Sequence, residues 1–67
     1  MDAARLRYMA GQIAREFAVQ GNDVAIEATA DHIRKYWDPR MRAQLLADDP
    51  AGQSQMVAAI VTRLRGP

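Results

Sequence analysis

Sixty-seven residues with nine Lys and Arg, eight Asp and Glu, one His and no Cys carry a net charge of +1. That length suits one domain, residues 1–67, with a small core and marginal stability, and the lack of Cys excludes disulfides and thiolate metal sites. The near balance of charge gives no field for indiscriminate binding to nucleic acid or anionic lipid, and no apolar run approaches the ~20 residues that span a bilayer. The start, Met1-Asp2-Ala3-Ala4-Arg5, lacks the basic-then-apolar pattern of a secretory signal, so a cytoplasmic location is expected.

The first predicted helix runs from about Asp2, a plausible cap, to Val19. Leu6, Met9, Ile13 and Phe17 fall on one face, while Arg5, Arg7, Gln12, Arg15 and Glu16 take the outer sides. Ala10, Ala14, Ala18 and Gly11 are small enough to let another helix approach closely. Gly21 stands where a helix end commonly turns to positive φ. A second helix is expected after a cap at Asn22 or Asp23. Its stripe is Ile26, Ala30, Ile33 and Trp37, with Val24 closing the lower end. Asp31 and Lys35 are four apart in the favoured acid-first order. His32, one position off the stripe, reads as a partly buried hydrogen-bonding residue rather than a catalytic base.

Asp38-Pro39 marks a break. Proline disfavours helical geometry at the residue before it and fits the first position of a helix, and Asp38 can accept the free N–H groups of the new first turn. The second helix therefore ends near Tyr36 or Trp37. A third runs from Pro39 to about Ala47, with Met41, Leu45 and Leu46 inward. Residues 48–53 read as a turn in which Asp49-Pro50 could repeat the cap-and-proline device. A last helix over about Gln53–Leu64 carries Val57, Ile60, Val61 and Leu64, with Met56 beside them, and Gly66-Pro67 ends it. No strand pattern occurs. The expected fold is all-α: a small bundle of three to four helices, a helical hairpin plus two short helices.

The corner between the second and third helices concentrates unusual residues. His32 to Arg42 hold the one Trp, the one His, one of two Tyr and four of nine Lys and Arg. Trp, Tyr and Arg are enriched as interface anchors. Arg40 and Arg42 face the positive end of a helix dipole, which is mildly unfavourable and points to something acidic or carbonyl-rich nearby. Two readings of Trp37 stand side by side here: an outward anchor, or the largest core residue of a small bundle. Arg40 and Arg42 are likewise partner contacts or ordinary solvated charges.

No glycine-rich phosphate loop, nucleophile elbow or metal-ligand spacing occurs, and a helical chain of this size scarcely encloses a catalytic pocket. No catalytic, cofactor-binding or metal residue is expected, and the chain reads as not an enzyme by itself. Two binding classes remain: a protein-interaction subunit working through the Trp37 corner, or a small helix-turn-helix-like nucleic-acid-binding module. No helix carries a stripe of Arg and Lys, which favours the first.

Two blocks of sequence resemble a known family. Arg5-Leu6-x-x-Met9-Ala10-x-Gln12-Ile13-Ala14 followed by Phe17, and His32-Ile33-x-Lys35-Tyr36-Trp37-Asp38-Pro39-Arg40-Met41-Arg42, are similar to the delta subunit of soluble NAD-dependent formate dehydrogenases. The run Trp-Asp-Pro-Arg-Met-Arg is the specific part. Gly11 stands where Asn is expected, Glu16 where a second Phe is common, and Tyr36 where Phe is usual. The last helix matches only in being amphipathic.

The resemblance implies an accessory subunit of a cytoplasmic complex that oxidises formate and reduces NAD. The large alpha subunit would carry bis-molybdopterin guanine dinucleotide with molybdenum, plus iron–sulfur clusters. Beta and gamma subunits would carry FMN and further clusters, and the delta chain no cofactor. Its implied role is binding the alpha subunit and aiding assembly, stability or molybdenum-cofactor insertion, with no nucleic-acid or membrane partner. The expected partner-binding residues are His32, Arg34, Lys35, Tyr36, Trp37, Asp38, Arg40, Met41 and Arg42. Trp37 and Tyr36 would enter a pocket on the alpha subunit, with the cations around it. An alanine at Trp37 or Arg40 would then weaken binding by ~2 kcal/mol or more.

Overall fold

Asp2 opens the first helix as the sequence suggests, its carboxylate accepting the Arg5 N–H at 2.8 Å. The computed structural model describes residues 2–66. Among them are four α-helices and no strand: α1 (Ala3–Phe17), α2 (Asn22–Tyr36), α3 (Pro39–Leu46) and α4 (Gln55–Arg65). The expected hairpin is α1 with α2, and α3 and α4 are the two shorter helices. α2 is central, packing most extensively against α1 and then α4, while α3 bridges α1 and α4.

The first junction is tighter than predicted. α1 ends at Phe17 and its last turn narrows to a 3₁₀ turn over Ala18–Gln20. Gly21 then adopts φ +105°, a conformation open to glycine and strained for other residues. Gly21, not Asn22 or Asp23, is the cap position of α2, and its carbonyl accepts the Ala25 N–H at 3.0 Å. Asn22 and Asp23 lie inside the first turn, where the Asp23 carboxylate faces the positive end of the dipole.

The second junction follows the sequence reading closely. Trp37 ends α2, its N–H donating to the Ile33 carbonyl at 3.1 Å. Asp38 is extended and its Oδ1 accepts from the Arg40 and Met41 N–H groups at 2.9 and 3.0 Å. Pro39 takes the first helical position. The Asp49-Pro50 pair repeats this device but yields one 3₁₀ turn, Pro50–Gly52. The cap of α4 is Ser54, whose Oγ accepts from Val57 N–H at 3.1 Å, so the helix starts at Gln55 rather than Gln53 and reaches Arg65 rather than Leu64. The expectation for Pro67 lies outside the described residues.

The core draws on every helix: Leu6, Ala10 and Ala14 from α1; Ala30 and Ile33 from α2; Trp37; Leu45 from α3; Val57, Ile60 and Val61 from α4. Met9, Ile13, Ile26, Met41, Leu46, Met56 and Leu64 pack around its edge. On α1 Leu6 enters the core as predicted, but Ala10 and Ala14 are buried deeper than Met9 and Ile13, which pack at its edge, and Phe17 is outside the cluster. Small residues at the contact let helix axes come close. Val24 is exposed rather than closing the α2 stripe, and Ala25 and Thr29 are buried in its stead. No helix is long and apolar enough to cross a membrane.

Candidate partner-binding surface

The corner forms as predicted, but its side chains divide into two groups. The first is engaged within the chain. Trp37 is only 7% exposed and belongs to the hydrophobic core. The outward anchor expected of it is thus corrected in favour of the other reading, the largest core residue of a small bundle, as burying so large an apolar ring stabilises a domain with little core. Asp38 is occupied as the cap of α3, and Met41 is half-buried against the core.

Arg34 and Arg42 are also engaged. Arg42 Nη1 donates to the Arg34 carbonyl at 3.2 Å, and Arg34 Nη2 donates to the Arg63 carbonyl at 2.7 Å. Both carbonyls lie in the last turn of a helix, beyond the reach of the regular helical donors; that of Arg63 also accepts the Gly66 N–H at 3.1 Å. Arg65 completes the set, its Nη2 donating to the Leu46 carbonyl at 2.6 Å. An arginine of α2 therefore caps α4, one of α4 caps α3, and one of α3 caps α2. The guanidiniums of Arg34 and Arg42, expected to meet acidic or carbonyl groups on a partner, donate instead to carbonyls of this chain.

The second group stays on the surface. Tyr36 is 72% exposed. His32 is half-buried, and its ring lies 4.8 Å from that of Tyr36, tilted by 47°. Lys35 pairs with Asp31 at 3.2 Å on exposed surface, a contact worth a few tenths of a kcal/mol. Arg40 is exposed and makes no ion pair and no side-chain hydrogen bond among the described residues. Next to this group is a shallow groove lined by Tyr8, Met9, Ile13, Glu16, His32 and the accessible edge of Trp37.

Tyr8 is the residue that sequence reasoning missed. It is 58% exposed, accepts a hydrogen bond from Gln12 Nε2 at 2.7 Å, and has the Arg5 guanidinium 5.8 Å from its ring centroid. Those contacts hold an aromatic ring upright on a helix surface. The available signal was an aromatic side chain at an outer position of an amphipathic helix. No cluster of three or more His, Asp or Glu able to hold a metal ion occurs among the described residues.

A family model described as NADH-dependent formate dehydrogenase delta subunit FdsD matches residues 5–63. The chain belongs to the FdsD family. The match takes in most of α1, all of α2 and α3, and most of α4, including the helix that the sequence blocks resembled least. No curated protein and no solved structure matched the chain. FdsD membership makes it a delta subunit of an NAD-dependent formate dehydrogenase, a complex with other subunits.

Proposed function

We propose that this delta chain is a non-catalytic accessory subunit that binds the large molybdenum subunit of the formate dehydrogenase and aids its assembly, stability or molybdenum-cofactor insertion. The observation that carries the reading is the family match across all four helices. In the proposed complex, which is cytoplasmic, the partner subunits hold the bis-molybdopterin guanine dinucleotide, the iron–sulfur clusters and FMN.

The docking surface proposed for this role is Tyr36, His32, Lys35 and Arg40. An exposed phenol tilted against an imidazole presents an apolar body with polar tips, and Arg40, at the start of α3, supplies a guanidinium unengaged among the described residues. Aromatic and Arg anchors of this kind dominate interface energies. Trp37 supports the surface from inside by fixing the end of α2. Binding favours a cofactor-competent state of the large subunit only to the extent that the chain prefers that state over others.

Co-purification with a tagged large subunit tests the reading. The parent chain should be retained, and Tyr36→Ala or Arg40→Ala should weaken retention by ~2 kcal/mol. A complex that forms with full molybdenum content when the delta chain is omitted would count against the role.

A further inference from the structure

α1 carries a second open surface, separated from the first by the ridge Tyr8-Gln12-Arg15. On its far side a groove of about 670 Å³ runs between α1 and the start of α4, with Ala4 and Gly11 from α1, Ala18 from the 3₁₀ turn after it and Met56 from α4 among its lining residues. A Cβ placed at Gly11 would meet nothing within 4 Å. Glycine inside a helix costs about 1 kcal/mol relative to alanine, and no neighbour in this chain requires it. The close helix approach that Ala10 and Ala14 permit inside the core has, at Gly11, no helix to receive it.

The charge around the groove is one-sided. No acidic residue lines it. Arg7 at one end is paired with Asp48, but Arg15 has no ion pair among the described residues, and neither does Arg5 behind Tyr8. We infer that this groove receives an amphipathic helix of the large subunit, one whose apolar stripe crosses Gly11 and whose flanking residues are acidic. The inference rests on the accessory-subunit reading and adds the surface and the chemistry of its partner. An amphipathic helix laid in an apolar groove is a recurring recognition mode, and opposite charge at the rim fixes its register and speeds encounter.

A second copy of this chain fits less well. In a two-fold antiparallel pairing centred on Gly11, Arg7 of one copy meets Arg15 of the other, cation against cation. The acidic edge of α2 offers a head-to-tail copy little free charge. Glu27 is paired with Arg63 at 2.7 Å and Asp31 with Lys35 at 3.2 Å, which leaves Asp23, in the first turn of α2, as the acid of that edge without an ion pair among the described residues.

The test uses the complex. The delta chain is co-expressed with the other subunits, recovered through a tag on the large one and quantified at low and high salt. Gly11→Leu fills the groove from outside the core and adds a stronger helix former, so folding is retained. Arg15→Glu reverses the exposed rim charge. Each should lower recovery about tenfold or more, and the parent should be lost more readily at high salt. If the parent and both variants are recovered equally, the groove is not the contact, while the accessory-subunit reading stands. If the parent itself is not recovered, both fall. A concentration-dependent dimer of the parent chain alone, abolished by Gly11→Leu, would overturn the inference by assigning the groove to a second copy.

Discussion

Arg7 Nη1 donates to Asp48 Oδ1 at 2.6 Å, joining α1 to the segment that follows α3. Gln53 Nε2 adds a hydrogen bond to Asp48 Oδ2 at 3.2 Å. The Asp48 side chain is only 5% exposed and that of Arg7 27%, so this pair is better shielded than the other ion pairs among the described residues. The Arg7 hydrogen bond holds the Asp48 carboxyl below its ordinary value of 3.8. A carboxyl depressed in the folded state stabilises the fold above the unfolded value, and that contribution disappears as pH falls through the folded one. Thermal midpoints measured against pH should therefore drop below about pH 4. The gap between the parent and Asp48→Asn should be full at neutral pH and close as the acid limit is approached. A gap that persists unchanged into strong acid would show that the charge of Asp48 contributes nothing.

The three arginine caps make a second prediction. Arg34, Arg42 and Arg65 each donate to a carbonyl at the end of a different helix. The Arg34 and Leu46 carbonyls would otherwise rely on water and that of Arg63 on the Gly66 N–H alone, and a charged donor there also opposes the negative end of the dipole. All three sites are partly exposed, so each alanine substitution should cost about 1 kcal/mol in urea unfolding. Lysine at these positions restores charge but not the planar, forked donor, and recovers only part of the loss. Arg40→Ala, with no carbonyl to cap, should leave stability within about 0.5 kcal/mol of the parent.

Local signals carried most of the fold. Asp38-Pro39 announced both the end of α2 and the start of α3 because capping and proline geometry act over a few residues. Gly21 announced the first junction for the same reason. What escaped depended on contacts distant in sequence. Whether Trp37 pointed in or out is decided by the helices that surround it, and the periodicity of α2 fits either outcome. Arg34 and Arg42 read as free cations because their acceptors are carbonyls, which a side-chain sequence does not display. Ser54 was passed over as a cap because Asp49-Pro50, five residues earlier, offered the more familiar signature. Of the expected surface, Tyr36 and Arg40 remain outward, whereas Tyr8 emerged only once the neighbours of α1 were in place.

Thr29 offers a stabilising substitution. Its side chain is fully buried on α2 and its Oγ1 has no hydrogen-bond partner among the described residues. A buried hydroxyl without a partner bears its full desolvation penalty. Thr29→Val keeps the branched shape and removes the orphaned oxygen. Unfolding should show a gain of about 1 kcal/mol. A loss of similar size would reveal that the hydroxyl bonds to water or to a backbone carbonyl in solution.

Trp37 decides how experiments on the corner are to be read. Its indole belongs to the same buried core as Ile33, Leu45 and Ile60. Truncating a buried Trp to Ala costs about 3–5 kcal/mol. At roughly 0.05–0.15 kcal/mol per residue a domain of this size has little more stability than that to lose. Trp37→Ala should therefore unfold much of the population, and any loss of partner binding it causes would report folding. In the parent chain the Trp37 fluorescence should be blue-shifted and protected from soluble quenchers, since the indole is shielded before any partner arrives. Trp37→Phe, which retains most of the apolar volume, should stay folded and keep Tyr36 and Arg40 in place. It should bind the large subunit nearly as well as the parent. If the folded Trp37→Phe chain fails to bind, the indole is itself a contact and the core assignment does not describe its role in the complex.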